Sequence, residues 1–278
     1  MTDDLLDLSL REVADSLRQR KVSPVDLLQA AFRKIRDHEP RLNAFVRLTE
    51  TRAHLAAQQA ERELAAGLWR GELHGVPIAV KDLYDCAGFP TSCSSKVRHD
   101  HIATQDSACV ERLSAAGAVI VGMTQTHEFA YGILTPTTGN PWNVERIPGG
   151  SSGGSGATVA ARGCFMAMGT DTGGSIRIPA AVCGVVGLKP TFGRVSRYGI
   201  ASLSWSLDHA GPLARTVGDC AATLNVLAGY DPRDPGSVDV PVEDYLVELE
   251  HGVRGIRLGV PRNFFFDHID PEVEKMVR

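Results

Sequence analysis

Two glycine-rich segments and one lysine hold the residues of this 278-residue chain best suited to chemistry. The first segment runs Pro148-Gly149-Gly150-Ser151-Ser152-Gly153-Gly154-Ser155-Gly156, the second Gly169-Thr170-Asp171-Thr172-Gly173-Gly174-Ser175-Ile176-Arg177. Glycine at this density permits positive φ, lets backbone approach a ligand and leaves N–H groups free to face an anion. Apolar runs flank both segments, whereas flexible linkers sit in polar surroundings, which disfavours a linker. A phosphate-binding P-loop needs Lys-Ser/Thr after its last glycine; here Ala157-Thr158 and Ile176-Arg177 follow instead. Gly150 to Gly154 also fits G-x-S-x-G, the nucleophile elbow, with Ser152 at its centre. That reading requires Asp and His partners; His209, His251 and His268 are available, but nothing marks one of them. The lysine is Lys81. It follows five apolar residues, 76–80, so a buried strand carries its stem into the interior, where most lysines never go.

The elements that must position these groups alternate in type. Residues 9–20 read as a helix whose Ser9 and Glu12 form a capping box. A second helix starts at Ser23 with Pro24 in its first position, and an Ala-rich one spans 51–66, stopped by Gly67. Residues 43–48, 76–80 and 118–121 read as strands, and 164–168 is a further apolar stretch. Residues 106–116 and 153–162 read as helices, and another opens near Ser175. Ser151 and Ser155 could cap the helix behind them, Ser155 being the better placed. Residues 124–131 could line a cleft or simply pack. Residues 230–244 suggest a long surface connection, 256–260 a strand, and Pro271 the start of a helix. Strands alternating with helices predict an α/β fold with a covered sheet.

Composition limits the function classes. Lys+Arg is 29 against Asp+Glu 33, a net charge of -4, so no basic surplus argues for a direct nucleic-acid ligand. The six cysteines show no C-x-x-C pair and no zinc-like spacing with histidine, so no metal site is expected and the thiols read as buried hydrophobes. The acidic N-terminus lacks the basic and apolar regions of a signal peptide, and no apolar run nears the ~18 residues of a spanning helix. A cytoplasmic protein with no membrane partner is the expectation.

Taken together, the motifs resemble the amidase signature family. The matching elements are Gly75-Val76-Pro77-Ile78-Ala79-Val80-Lys81-Asp82, Gly149 to Ser155, Gly169 to Arg177, Gly187-Leu188-Lys189-Pro190-Thr191, Gly193-Arg194-Val195-Ser196 and 208–216. The resemblance covers nearly the whole chain. It implies a mixed β-sheet core between helical layers, one domain over 1–278. Within it, 1–69 would be an N-terminal helical layer, 70–228 the catalytic core, and 229–278 a connection and the start of a C-terminal part. Family members are longer, so the resemblance also implies that the remainder of that part is lacking. It places the family's catalytic lysine on Lys81, its bridging serine on Ser151 behind a cis peptide bond, and its acylated serine on Ser175, 24 positions later. It assigns the oxyanion hole to Thr172, Gly173 and Gly174, with the Ser175 N–H beside them, and supporting roles to Asp171, Arg177 and Ser152. No cofactor is implied.

The implied chemistry is amide hydrolysis through an acyl-enzyme, and it makes one physical demand. Lys81 can act as a base only when neutral, and at an ordinary pKa near 10.4 this costs about 4.6 kcal/mol at pH 7. Burial lowers a lysine pKa by up to ~3–5 units, enough to cover that cost. The leading expectation is a hydrolase of a small carboxylic amide. An alternative is the glutaminase (A) subunit of a tRNA-dependent amidotransferase, which Thr191 to Arg197 (TFGRVSR) resembles. Thr126 to Gly132 (THEFAYG) and Pro261 to Phe266 (PRNFFF) look more like free-standing amidases. A second alternative is an inactive truncated remnant. The resemblance leaves open a homodimer or a partner subunit.

Overall fold

The computed structural model describes residues 4–278. They separate into two compact units, the first ending at Leu246 and the second running Val247–Arg278.

The first unit is built on a six-stranded mixed sheet in the order β1-β3-β2-β4-β6-β5. The strands are β1 (Phe45–Leu48), β2 (Pro77–Lys81), β3 (Val119–Thr124), β4 (Met166–Asp171), β5 (Val186–Gly187) and β6 (His209–Ala214). β2 lies between parallel partners β3 and β4, whereas β1–β3, β4–β6 and β6–β5 are antiparallel. Side chains along a strand alternate between faces, and the two faces feed different cores. Ile78, Val80, Ile120, Met166 and Met168 enter one core with Leu10, Val13 and Leu17 of α1 (Leu10–Arg18) and Val110 and Leu113 of α4 (Ala108–Ala115). Ala79, Val119, Val121 and Ala167 enter the other with Leu28, Phe32 and Ile35 of α2 (Pro24–Leu42), Ala53 and Ala57 of α3 (Glu50–Ala65), and Ala157 and Val159 of α5 (Gly153–Ala160). The sheet is thus covered on both sides, as the alternation of elements predicts.

The helix starts follow their sequence signals. Ser9 Oγ accepts from the Glu12 N–H while Glu12 Oε2 accepts from the Ser9 N–H at 2.7 Å. Ser23 caps α2 with Pro24 in its first turn. Two elements carry no such signal and were not expected. β6 contains Pro212, opposite Met168 of β4. Proline lacks an N–H and reads against a central strand; here its carbonyl still accepts from the Leu188 N–H at 3.0 Å. α7 (Val217–Leu227) is mostly small and apolar, without a polar stripe to mark it.

One expectation fails and one is qualified. Residues 256–260 form no strand: Ile256, Leu258 and Val260 are exposed, and β-pairing needs a neighbour that the second unit does not supply among its described residues. Residues 230–244 are irregular and mostly exposed, as a surface connection would be, but Asp231 and Asp234 within them are buried and anchored by ion pairs to Arg233 and Arg197. α6 (Arg177–Cys183) follows the second glycine-rich turn, and α8 (Pro271–Val277) begins at the expected proline with Asp270 as its cap. No described helix is long and apolar enough to cross a membrane.

Candidate active site

Lys81 is the last residue of β2, and pleat alternation after Val80 turns it toward the face that carries α5. Its side chain is fully buried, and three hydroxyls surround Nζ: Ser151 Oγ at 2.7 Å, Thr170 Oγ1 at 2.8 Å and Ser152 Oγ at 2.9 Å. Burial drives the amine down to about 7, although Asp171 and Asp208, and more weakly Cys93, pull the other way. Three partners suit an ammonium with three N–H donors. Once the amine is neutral it keeps two N–H groups and gains a lone pair, so one hydroxyl must turn and donate. Ser152 cannot do so freely, because its hydroxyl already donates to the Thr170 carbonyl at 3.2 Å. Ser151 is the nearest of the three, and its hydroxyl, like that of Thr170, makes no other hydrogen bond among the described residues.

The first glycine-rich segment brings Ser151 here. The Gly150–Ser151 peptide bond is cis, and the Ser151 carbonyl accepts from the His127 N–H at 3.0 Å and from Thr135 Oγ1 at 3.3 Å. Glycine in this stretch serves close packing: a Cβ on Gly154 would lie 2.4 Å from the Ala44 carbonyl oxygen and 2.6 Å from the Gln125 nitrogen. Ser155 does not cap α5 but lies inside its first turn. Its hydroxyl donates to the Met168 carbonyl at 2.8 Å and bonds Thr124 Oγ1 at 2.7 Å, tying the helix to the sheet. The elbow reading of Ser152 finds no histidine: the hydroxyl is fully buried and its partners are Lys81 and Thr170.

The second segment leaves β4 and wraps around one carboxylate. Asp171 receives the N–H groups of Gly174 at 2.8 Å, Ile176 at 3.2 Å and Arg177 at 3.4 Å. The Arg177 guanidinium adds a bidentate pair, both bonds 2.9 Å. Burial pushes the Asp171 carboxyl up, but Arg177 and these N–H groups outweigh it and hold it below the usual carboxylate range. The turn requires glycine at 174, whose φ is +134°. One expectation shifts: the Gly174 N–H is committed to Asp171, whereas the N–H groups of Thr172, Gly173 and Ser175 have no acceptor among the described residues. The Ser175 carbonyl accepts from the Ser152 N–H at 3.2 Å, which seats residue 175 against the Ser151–Ser152 backbone. Arg177 is 54% exposed, so water can reach the space its guanidinium leaves beside Asp171. Arg177→Met should therefore cost about 1–2 kcal/mol, less than a fully buried pair, read as a fall in the urea midpoint.

Three further residues shape the site without an obvious sequence signal. Thr170 is the third partner of Lys81. Tyr84, fully buried, donates to the Gly169 carbonyl at 2.6 Å. Asp208 accepts from Thr172 Oγ1 at 2.6 Å and holds the Ser202–Ser204 loop. Thr170 and Asp208 also lie in the wall of a cleft of about 510 Å³, with Phe192, Ile200, Leu203 and Trp205 supplying much of its apolar surface. Of residues 124–131 only Ala130 lines this cleft, in a turn where Phe129 and Ala130 both have positive φ. The six cysteines are buried and unpaired, with burial raising Cys86 to about 11 and the other five to about 12, so none offers a thiolate near neutrality.

The chain is similar to known proteins. An amidase from Pseudomonas putida is 54% identical over 275 residues, 99% of this chain and 59% of that protein. In Carboxydothermus hydrogenoformans, the A subunit of the glutamyl-tRNA(Gln) amidotransferase is 45% identical over 279 residues, 99% of this chain and 58% of that one. The chain thus spans less than two thirds of the length of these relatives. A solved structure, described as a vestigial protein complex revealing the evolutionary origins of an s-triazine catabolic enzyme, superimposes with a TM-score of 0.95 at 39% identity, over 97% of this chain and 60% of that one. The family model described as Amidase matches residues 26–278, and with these relatives it shows that the chain belongs to the amidase signature family.

Proposed function

We propose that this chain carries the catalytic core, residues 70–228, of a serine amidase that hydrolyses a small carboxylic amide to an acid and ammonia or an amine. The observation that carries the reading is a fully buried lysine, its amine at about 7, with Nζ 2.7 Å from Ser151 Oγ. Neutral Lys81 takes the Ser151 proton as Ser151 takes that of Ser175, and Ser175 Oγ attacks the carbonyl carbon. The oxyanion that develops meets the unpaired N–H groups of Thr172, Gly173 and Ser175; each such donor is worth about 3–4 kcal/mol. Gly174 contributes its backbone shape, Asp171 and Arg177 hold the turn, and Ser152 holds Lys81. The relay then returns the proton to the leaving nitrogen as the C–N bond breaks. Water hydrolyses the resulting acyl-enzyme.

Because the amine must be neutral in the free enzyme, kcat/KM should rise with pH through an apparent pKa of about 7 and then level. A pH–rate profile checks this; a flat profile across roughly pH 5.5–8.5 would remove Lys81 as the base. A second reading, the glutaminase subunit of a tRNA-dependent amidotransferase, is supported by the 45% identity to a protein of that name. The 54% identity to a protein named simply as an amidase favours the hydrolase. Copurification with a tRNA-binding partner would reverse that order.

A further inference from the structure

We infer that Lys189 and His209 form an anion-binding edge of the cleft, which selects amides carrying a carboxylate on the acyl portion; this rests on the reading of Ser175 as the nucleophile. His209 begins β6 directly opposite Asp171, the residue before the oxyanion turn, and it lines the cleft. The segment that follows β5 runs alongside β6, as the bond from the Leu188 N–H to the Pro212 carbonyl shows, and this brings Lys189 to the same end of the sheet.

The bonding fixes the character of the pair. His209 Nδ1 is 2.7 Å from the Leu207 carbonyl oxygen, which only accepts, so Nδ1 carries the proton. Nε2 then presents a lone pair to Lys189 Nζ at 3.1 Å. Phe192, another wall residue, meets the imidazole edge-on with ring centroids 5.5 Å apart and keeps it in place. Lys189 thus spends one of its three N–H donors on a neutral ring, and among the described residues it pairs with no carboxylate.

The other charged side chains around the cleft already have hydrogen-bonding partners. Arg197 pairs with Asp234 at 3.0 Å, and Arg233 pairs with Asp231 and Glu111. Asp208 accepts from Thr172 Oγ1 through one oxygen and from Ser202 Oγ and the Leu203 and Ser204 N–H groups through the other. An entering ammonium finds no uncommitted carboxylate there, whereas an entering carboxylate finds two unspent donors on Lys189. The preferred substrate class is therefore the monoamide of a dicarboxylic acid.

Calorimetric titration of the Ser175→Ala chain with glutaramate and with pentanamide, an uncharged amide of the same length, tests this. Glutaramate should bind roughly ten- to a hundredfold more tightly. Adding Lys189→Met should erase that preference, and Lys189→Arg should retain most of it. Equal or tighter binding of pentanamide, or a preference untouched by Lys189→Met, overturns the assignment. Fluorophosphonate labelling of the unmodified chain decides the nucleophile separately. An anion preference without labelling at Ser175 sinks the serine reading alone, and labelling without the preference sinks this one alone.

Discussion

Ser175→Ala should lower amide turnover on the order of 10⁴-fold or more, with the chain still folded. The residue's structural contribution is its backbone: its carbonyl accepts from Ser152 and its N–H stays open, and alanine preserves both. Its hydroxyl makes no hydrogen bond among the described residues, so little stability is lost with it. Members of a catalytic relay act as a unit, so removing a second adds little. Ser151→Ala/Ser175→Ala should thus be no slower than Ser175→Ala by itself. Steady-state assays on a small amide, with circular dichroism to confirm folding, make the comparison. Multiplying losses would show that the two hydroxyls act independently and would break the relay.

Lys81→Met should change the pH dependence of stability more than any other single substitution in the site. The amine titrates at about 7 in the folded chain against 10.5 in its ordinary state. Between those values the unfolded chain binds a proton that the folded chain does not, so folding strengthens as pH rises. Below pH 7 the whole penalty of about 5 kcal/mol is present, and it fades by about pH 10.5. From about pH 6 to about pH 9 the unmodified chain should gain roughly 2.5 kcal/mol relative to Lys81→Met, which has nothing to titrate there. The absolute offset is smaller than the penalty, since methionine leaves Ser151, Ser152 and Thr170 without the amine. Urea midpoints at several pH values read the slope, which does not depend on that offset. Parallel stability curves for the two proteins would place an ordinary lysine at position 81.

Such a burden is what the proposed base near neutrality would carry, and the sequence exposed it because five apolar residues lead straight to Lys81. The outer architecture was equally legible where capping and pleating leave local marks, as at Ser9 with Glu12, at Pro24 and along β2. Legibility ended where long-range packing decides. Pro212 argues against a strand locally, yet β6 forms because its carbonyl and its neighbours are bonded from both sides. Ser155 has a capping residue type, but the Met168 carbonyl across the helix–sheet junction claims its hydroxyl. The alternating apolar residues at 256–260 meet no partner strand among the described residues and stay exposed. Thr170 is one threonine among many until the register of β2 and β4 sets it beside Lys81. Gly174 shows the same limit within the site: its type announces a turn, but only the fold reveals that Asp171 takes its N–H.

The proposed relay depends on an uncharged amine at position 81, and the chain has only six lysines, few enough to follow individually. NMR titration of their side-chain amines, with Lys81→Met to assign the resonance, observes that group directly. One amine should titrate near 7 and vanish from the spectrum of the variant. A Lys81 resonance that instead titrates where exposed lysines do, near ~10.4, would mean a cation at neutral pH, unable to draw a proton from Ser151.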